Sequence, residues 1–255
     1  MTYLHALILA IVEGLTEFLP VSSTAHLVLA GKLLQLQETE FLKSFDIAVQ
    51  LGAILAVASL WFRRLLTDRE LVKRVLVAFL PTGVLGLVLY KLVKTFLLGN
   101  TNVILVSLLV GGILLIVFEF FHREDDKEEV EAQEITYKQA FGIGLFQAVA
   151  MIPGVSRSAA TILGGMLLGL KRKTAVEFSF LIAIPTMGAA VTLDLVKSAG
   201  SFSQGQLGIM FFGCVISFVI ALLSVKALTA FVRRHTFLVF GVYRIALAIG
   251  LFWIL

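Results

Sequence analysis

Glu13 and Glu17 stand four residues apart, a spacing that puts both carboxylates on one face of a helix. Two such groups repel unless a cation lies between them, and hard divalent ions such as Mg²⁺ or Ca²⁺ take oxygen ligands of this kind. The plainer alternative is that either carboxylate pairs with a basic residue or a helix end. In the same stretch, EGLTEFLPVSSTAH (13–26), Ser22, Ser23 and Thr24 follow Pro20. Unpaired backbone N–H groups at the start of a new helix there would bind an anion, or the hydroxyls merely cap it. His26, one helical turn beyond Ser23, is in reach of a bound hydroxyl, water or phosphate for proton transfer, unless it is a hydrogen-bonded packing residue. A second stretch, PGVSRSAAT (153–161), supplies Gly154 in a turn, Ser156 and Ser158 around Arg157, and Thr161. A guanidinium grips two phosphate oxygens at once; the alternative for Arg157 is a salt bridge to Glu13 or Glu17.

What must position these groups is a membrane fold. Of 255 residues 59% are hydrophobic and 15% charged, and the mean hydropathy is +0.99, which excludes an ordinary soluble domain. Six apolar runs at about 45–62, 75–97, 101–121, 174–196, 207–229 and 236–255 are long enough to span a bilayer. The start MTYLHALILA lacks a basic n-region and a small-residue cleavage site, so no cleavable signal peptide is expected. Cys214 is the single cysteine, inside an apolar span, and is expected to serve packing. Basic residues gather at Arg63, Arg64, Arg69, Lys73 and Arg74, at Lys171–Lys173, and at Arg233 and Arg234. Placing these loops in the cytoplasm makes the six spans alternate consistently, with the turns at 95–100 and 198–206 outside. The mixed-charge linker 122–138 then falls inside, as a solvated connection without chemistry.

That linker divides one membrane domain, 1–255, into two repeats, 1–121 and 139–255. Sliding the chain so that Ala6 meets Ala140 lays ALILAIVEGLTEFLPVSSTAHLVLAG (6–31) over AFGIGLFQAVAMIPGVSRSAATILGG (140–165) with six identities in 26 positions, and superposes the three spans that follow each. Three spans per half require the second half to enter the membrane the other way up. Pro20 in one stretch and Pro153-Gly154 in the other break any helix running through them, and non-helical backbone at membrane depth survives only inside protein or beside water. The expected fold is therefore all-α and polytopic: six transmembrane helices plus two re-entrant helical hairpins, arranged as inverted repeats. One hairpin enters from outside and one from the cytoplasm, so that their tips meet near the midplane, as at the binding sites of transporter folds. The repeat is asymmetric there: Glu13 and Glu17 align with Gln147 and Met151, and Ser23 with Arg157. One hairpin brings an anionic, metal-like half and the other a cationic clamp, which together suit a metal-bound polyphosphate.

These two stretches resemble the signature motifs of the bacterial undecaprenyl-diphosphate phosphatase family, known also for bacitracin resistance, and the resemblance spans the whole chain. The first motif, E/QxxxE followed by PxSS and a histidine, is met by Glu13, Glu17, Pro20, Ser22, Ser23 and His26; the second, PGxSRSxxT, by Pro153, Gly154, Ser156, Arg157, Ser158 and Thr161. Ala25 stands where relatives often carry glycine. The resemblance implies a multi-pass enzyme of the bacterial inner membrane that removes the terminal phosphate of undecaprenyl diphosphate and so recycles the lipid carrier for peptidoglycan. Glu17, Ser23, His26 and Arg157 are then the catalytic residues. Ser22, Thr24, Gly154, Ser156, Arg157, Ser158 and Thr161 bind phosphate, and Glu13 and Glu17 bind Mg²⁺ or Ca²⁺. No nucleic-acid partner is expected; a homodimer is compatible.

The main rival is a transporter or flippase for a phosphorylated lipid, since inverted repeats serve transport as well; the Glu pair, His26 and Arg157 favour hydrolysis, because transport needs no general acid or base. A purely structural scaffold leaves the intramembrane charges unexplained. Whether Ser23 or water attacks the phosphorus is open at this level. Asp46, Gln50, Glu119, Glu177, Asp194 and Arg244, in or at the ends of spans, are expected to be mostly structural.

Overall fold

The computed structural model describes residues 1–92, 100–122, 130–197 and 202–254. Among them are ten α-helices: α1 (Tyr3–Thr16), α2 (Ser23–Leu33), α3 (Glu40–Thr67), α4 (Arg69–Leu92), α5 (Thr101–Phe121), α6 (Tyr137–Val149), α7 (Arg157–Leu167), α8 (Arg172–Lys197), α9 (Gln204–Phe231) and α10 (Leu238–Ile254). The protein is an all-α polytopic membrane protein. Five of the helices, α3, α4, α5, α8 and α9, are long and apolar enough to cross a membrane. The sixth expected span, α10, is an apolar helix of 17 residues, at the lower limit for crossing.

The four helices around the polar motifs are shorter, for a reason written in the chain. α1 and α6 have 14 and 13 residues and α2 and α7 have 11 each, so at about 1.5 Å per residue none exceeds roughly 21 Å, short of a hydrocarbon core of about 30 Å. Turns at 17–21 and 150–155, holding Pro20 and Pro153-Gly154, stop α1 and α6. Each pair is a hairpin. Capping follows the repeat: Ser22 and Ser156, which the alignment of the two halves places together, are the N-cap residues of α2 and α7.

The first arm of each hairpin packs on the middle long helix of the other half, α1 on α9 and α6 on α4. The first long helices, α3 and α8, meet each other, and so do the third, α5 and α10. Exchanging the two halves maps these contacts onto one another. Between helices in lipid, dispersion packing and interhelical hydrogen bonds, rather than burial from water, hold the bundle together. Aromatic residues do much of this beside the motifs: Phe18 in the first turn meets Phe180 of α8 edge-on at 5.5 Å, and both are fully buried.

The linker differs from the solvated connection expected. Residues 123–129 lie outside the described residues, but 130–136 are docked. Ala132 and Ile135, three apart, are both fully buried in a core cluster that takes in α3, α4 and α8. Arg64 pairs with Glu131 at 3.2 Å and with Glu177 at 2.7 Å, and Thr174 donates to the Val130 carbonyl at 2.7 Å. Charge-rich composition concealed an apolar pair at a spacing that fits one turn of helix.

Candidate active site

The buried stripe of α1 runs Ala6, Leu9, Ala10, Glu13, and one further turn brings Glu17, whose N–H still donates to the Glu13 carbonyl at 2.9 Å. Helical periodicity thus carries both carboxylates to the face turned into the protein. Beyond Glu17 the chain turns sharply. Ser22 has φ 72° and ψ 93°, left-handed backbone that a non-glycine residue adopts at a cost of about 1–3 kcal/mol, strain that concentrates at functional sites. His26 holds it there, one turn later: its Nδ1 lies 2.7 Å from the Ser22 carbonyl oxygen and its Nε2 lies 2.7 Å from the Tyr243 hydroxyl. A carbonyl only accepts, so Nδ1 carries a proton, and in the neutral ring Nε2 accepts from Tyr243. Both nitrogens are engaged, and His26 supports the turn rather than contacting the Ser23 hydroxyl.

In the second hairpin Gly154 has φ +87°, and a Cβ there would lie 2.7 Å from the Ile104 carbonyl oxygen, so only glycine fits. Ser156 caps α7, accepting from the Ala159 N–H at 3.2 Å. Ser158, fully buried, donates to the Leu19 carbonyl of the first hairpin at 2.7 Å. Thr161, equally buried, shares a 2.6 Å hydrogen bond with Ser179 of α8. Both hydroxyls serve to fasten the second hairpin.

The hairpins meet. Arg157 Nη2 donates to Glu17 Oε1 at 2.9 Å across 140 residues of sequence, and Nη1 donates to the Ser179 carbonyl at 3.0 Å. The guanidinium also lies 5.5 Å from the Phe18 ring centroid. The other carboxylate oxygen, Glu17 Oε2, accepts from Ser23 Oγ at 2.6 Å. Arg157, Glu17 and Ser23 form one chain of charge-assisted bonds, a cation, a carboxylate and a hydroxyl in sequence. They border a cavity of about 150 Å³ with Ser22, Thr24, Gln50, Ser156, Ala150, Val155 and Met187, room for about five waters at roughly 30 Å³ each. Of the residues singled out from sequence, Glu17, Ser22, Ser23, Thr24, Ser156 and Arg157 line this cavity; Glu13, His26, Gly154, Ser158 and Thr161 lie behind it.

Glu13 is fully buried, and no N–H or hydroxyl donor reaches either of its oxygens, which lie against the carboxyl of Glu17. It is in electrostatic contact with Glu17, Asp46 and Arg157. A buried carboxylate left this way is costly unless something else occupies its lone pairs. Among the described residues no three His, Cys, Asp or Glu side chains group closely enough to cage a metal. Mg²⁺, however, is commonly held by one or two carboxylates with substrate phosphate and water completing its shell, and Glu13 with Glu17 fits that mode.

Sequence reasoning missed Tyr243, and Arg244 is structural as expected, though with partners that no spacing rule showed. Arg244, 1% exposed, has no carboxylate partner among the described residues; it donates to the carbonyls of Pro20 at 3.3 Å, Gly154 at 3.2 Å, Ser107 at 3.0 Å and Leu108 at 3.4 Å. One guanidinium from α10 thereby ties both hairpin turns to α5. The available signal was a lone arginine within an apolar run. Elsewhere Glu119 pairs with Arg172 at 2.9 Å and Glu177 with Arg64, structural roles as expected. Gln147, in the repeat position of Glu13, donates to Thr82 and Thr186 at 3.0 Å each.

A family model described as bacitracin resistance protein BacA matches residues 6–250. Among curated relatives, an undecaprenyl-diphosphatase of Aquifex aeolicus is 51% identical over 249 residues, 98% of this chain and 97% of the relative. One of a Sulfurihydrogenibium species is 49% identical over 98% of each chain. One of Persephonella marina is 49% identical over 97% of this chain and 96% of the relative.

Proposed function

Because the chain belongs to the bacitracin resistance protein BacA family, we propose that the meeting of its two hairpins is where undecaprenyl diphosphate is hydrolysed to undecaprenyl phosphate and inorganic phosphate, in the bacterial plasma membrane. The observation that carries this reading is the Arg157–Glu17–Ser23 chain beside a polar cavity. Its parts come from opposite halves of the sequence and answer the needs of phosphoryl transfer: a cation for the phosphate oxygens and a carboxylate beside a hydroxyl.

The ion pair also suggests how the substrate switches the site on. A diphosphate entering the cavity competes for the Arg157 fork, and as the guanidinium turns to phosphate oxygens, Glu17 Oε1 is released while Oε2 stays on the Ser23 hydroxyl. Glu17 Oε2 then takes the proton of the attacking hydroxyl, the oxygen closes on the terminal phosphorus, and the anhydride P–O bond breaks with the lipid phosphate leaving. With Ser23 as attacking group a phosphoserine forms and water hydrolyses it; the 2.6 Å Ser23–Glu17 bond favours this order. Strain at Ser22, held by His26, fixes where that hydroxyl points, and Arg157 balances charge on the equatorial oxygens. A divalent ion held by Glu13 and Glu17 would neutralise further charge on the diphosphate.

The test is phosphate release from undecaprenyl diphosphate by protein in detergent micelles, where transport has no meaning, together with rapid acid quench for phosphoserine at Ser23. Release that is lost in Glu17→Gln supports hydrolysis at this site; absence of release from folded protein overturns it.

A further inference from the structure

A second cavity lies apart from the one between the hairpins. It is a groove of about 700 Å³ between the C-terminal ends of α3 and α9, lined by Leu60, Trp61, Lys226, Thr229, Arg233 and Arg234 among others. Its volume lies within the range of ligand sites, about 300–1,000 Å³. The positive-inside rule puts this end of the bundle at the cytoplasmic interface.

Its chemistry divides in two. Leu60 and Trp61 form an apolar wall on α3, and the Trp61 indole is fixed there by donating to Glu177 Oε1 at 3.1 Å. Lys226, Arg233 and Arg234 bring three cations from α9 and the residues just after it. Arg64, on the same end of α3, already bonds Glu131 and Glu177, whereas no carboxylate among the described residues pairs with Lys226, Arg233 or Arg234. The carbonyls ending α9 also have partners: the Val232 N–H donates to Leu228 and those of Arg234 and His235 to Phe231, so capping does not account for the side-chain charges.

Three cations without a described carboxylate partner, beside an apolar, tryptophan-bearing wall at the membrane surface, match an amphiphile with an anionic head and hydrocarbon tail. Basic pockets between transmembrane helices on this side of a membrane bind such headgroups. We infer that the α3–α9 groove is a binding site for an anionic glycerophospholipid of the cytoplasmic leaflet, its phosphate between Lys226, Arg233 and Arg234 and its chains along Leu60 and Trp61. The site is separate from the hairpin cavity and does not depend on the reaction assigned there.

Trp61 reports on it directly. The chain has two tryptophans, and Trp253 is 81% exposed on the bundle surface, so a Trp253→Phe background leaves the groove as the only indole. Full-length protein of this background is placed in nanodiscs of phosphatidylcholine containing a fixed small fraction of brominated phosphatidylglycerol or brominated phosphatidylcholine, and quenching of Trp61 is measured. At equal mole fraction the anionic lipid is expected to quench much more strongly. At roughly fivefold per cation, Arg233→Ala/Arg234→Ala lowers the preference on the order of twentyfold, while Arg233→Lys/Arg234→Lys retains it. Millimolar inorganic phosphate leaves quenching unchanged, since the headgroup without its chains gains nothing from the apolar wall. Equal quenching by both lipids overturns the site. So does equal loss of preference in Arg63→Ala/Arg69→Ala, which removes two nearby charges that do not line the groove, or displacement by inorganic phosphate, which would make it a plain anion patch.

Discussion

Replacing Arg157 by lysine separates its charge from its shape. The guanidinium holds Glu17 Oε1 through Nη2 at 2.9 Å and the Ser179 carbonyl through Nη1 at 3.0 Å, and its side chain is only 12% exposed. Of its five N–H donors two remain beyond these bonds and a long contact to Met187 Sδ, including a buried Nε without an acceptor; these are the donors free to meet a phosphate. Lysine keeps the positive charge and reaches Glu17 or Ser179, not both, so the fold loses one charge-assisted bond, about 1.5–3 kcal/mol. Turnover loses more: an arginine aimed at a phosphoryl transition state is worth on the order of 10³–10⁵ in rate, or about 4–7 kcal/mol at 1.4 per decade. Alanine adds a stranded Glu17 carboxylate, destabilising by about 3–5 kcal/mol; Glu17→Gln/Arg157→Ala recovers much of that stability and none of the activity. The assay pairs phosphate release from undecaprenyl diphosphate in detergent with thermal unfolding of the same samples. Near-normal turnover in the lysine variant would refute the argument. So would activity in the alanine variant that falls only in proportion to the unfolded fraction, because Arg157 would then be a structural counter-ion.

Three further outcomes are expected. Chelation by EDTA abolishes phosphate release and Mg²⁺ or Ca²⁺ restores it; the same ions raise the melting temperature of the wild type but not of Glu13→Ala, and full turnover in chelator rules the metal out. His26→Ala, which removes both the bond to the strained Ser22 carbonyl and the bond to Tyr243, forfeits about 2–3 kcal/mol of positioning and lowers turnover on the order of 30- to 100-fold, whereas Tyr243→Phe removes one neutral hydrogen bond of about 1 kcal/mol and lowers turnover about fivefold; equal losses in the two would show that Tyr243 acts in the reaction itself. Gly111→Ala drives a Cβ into Arg244 Nη2, which must expel the guanidinium from the hairpin turns; a melting temperature unchanged from wild type would show that Arg244 is not what ties the turns together.

Membrane residence, the all-helical class, two proline-broken hairpins and several of the polar residues that gather where the hairpins meet were legible in the chain alone. Each rests on a local property: hydropathy over the length of one span, a missing N–H at proline, or a spacing that keeps Glu13 and Glu17 on one helix face. The repeat offset likewise anticipated that helices starting at Tyr3 and Ser23 would have counterparts starting at Tyr137 and Arg157. Periodicity says which face of a helix a residue shares, however, and not what lies opposite. Only the packing of α1 on α9 and α6 on α4 decided that Arg157 bonds Glu17, that Ser23 takes the other carboxylate oxygen, and that Glu13 is buried behind them with no N–H or hydroxyl donor in reach. The same packing turned His26 toward Tyr243, used Ser158 and Thr161 as fasteners, and sent Arg244 between two turns from opposite halves of the chain. Those outcomes depend on contacts between residues up to 224 positions distant, and a spacing rule reaches no farther than one turn of helix.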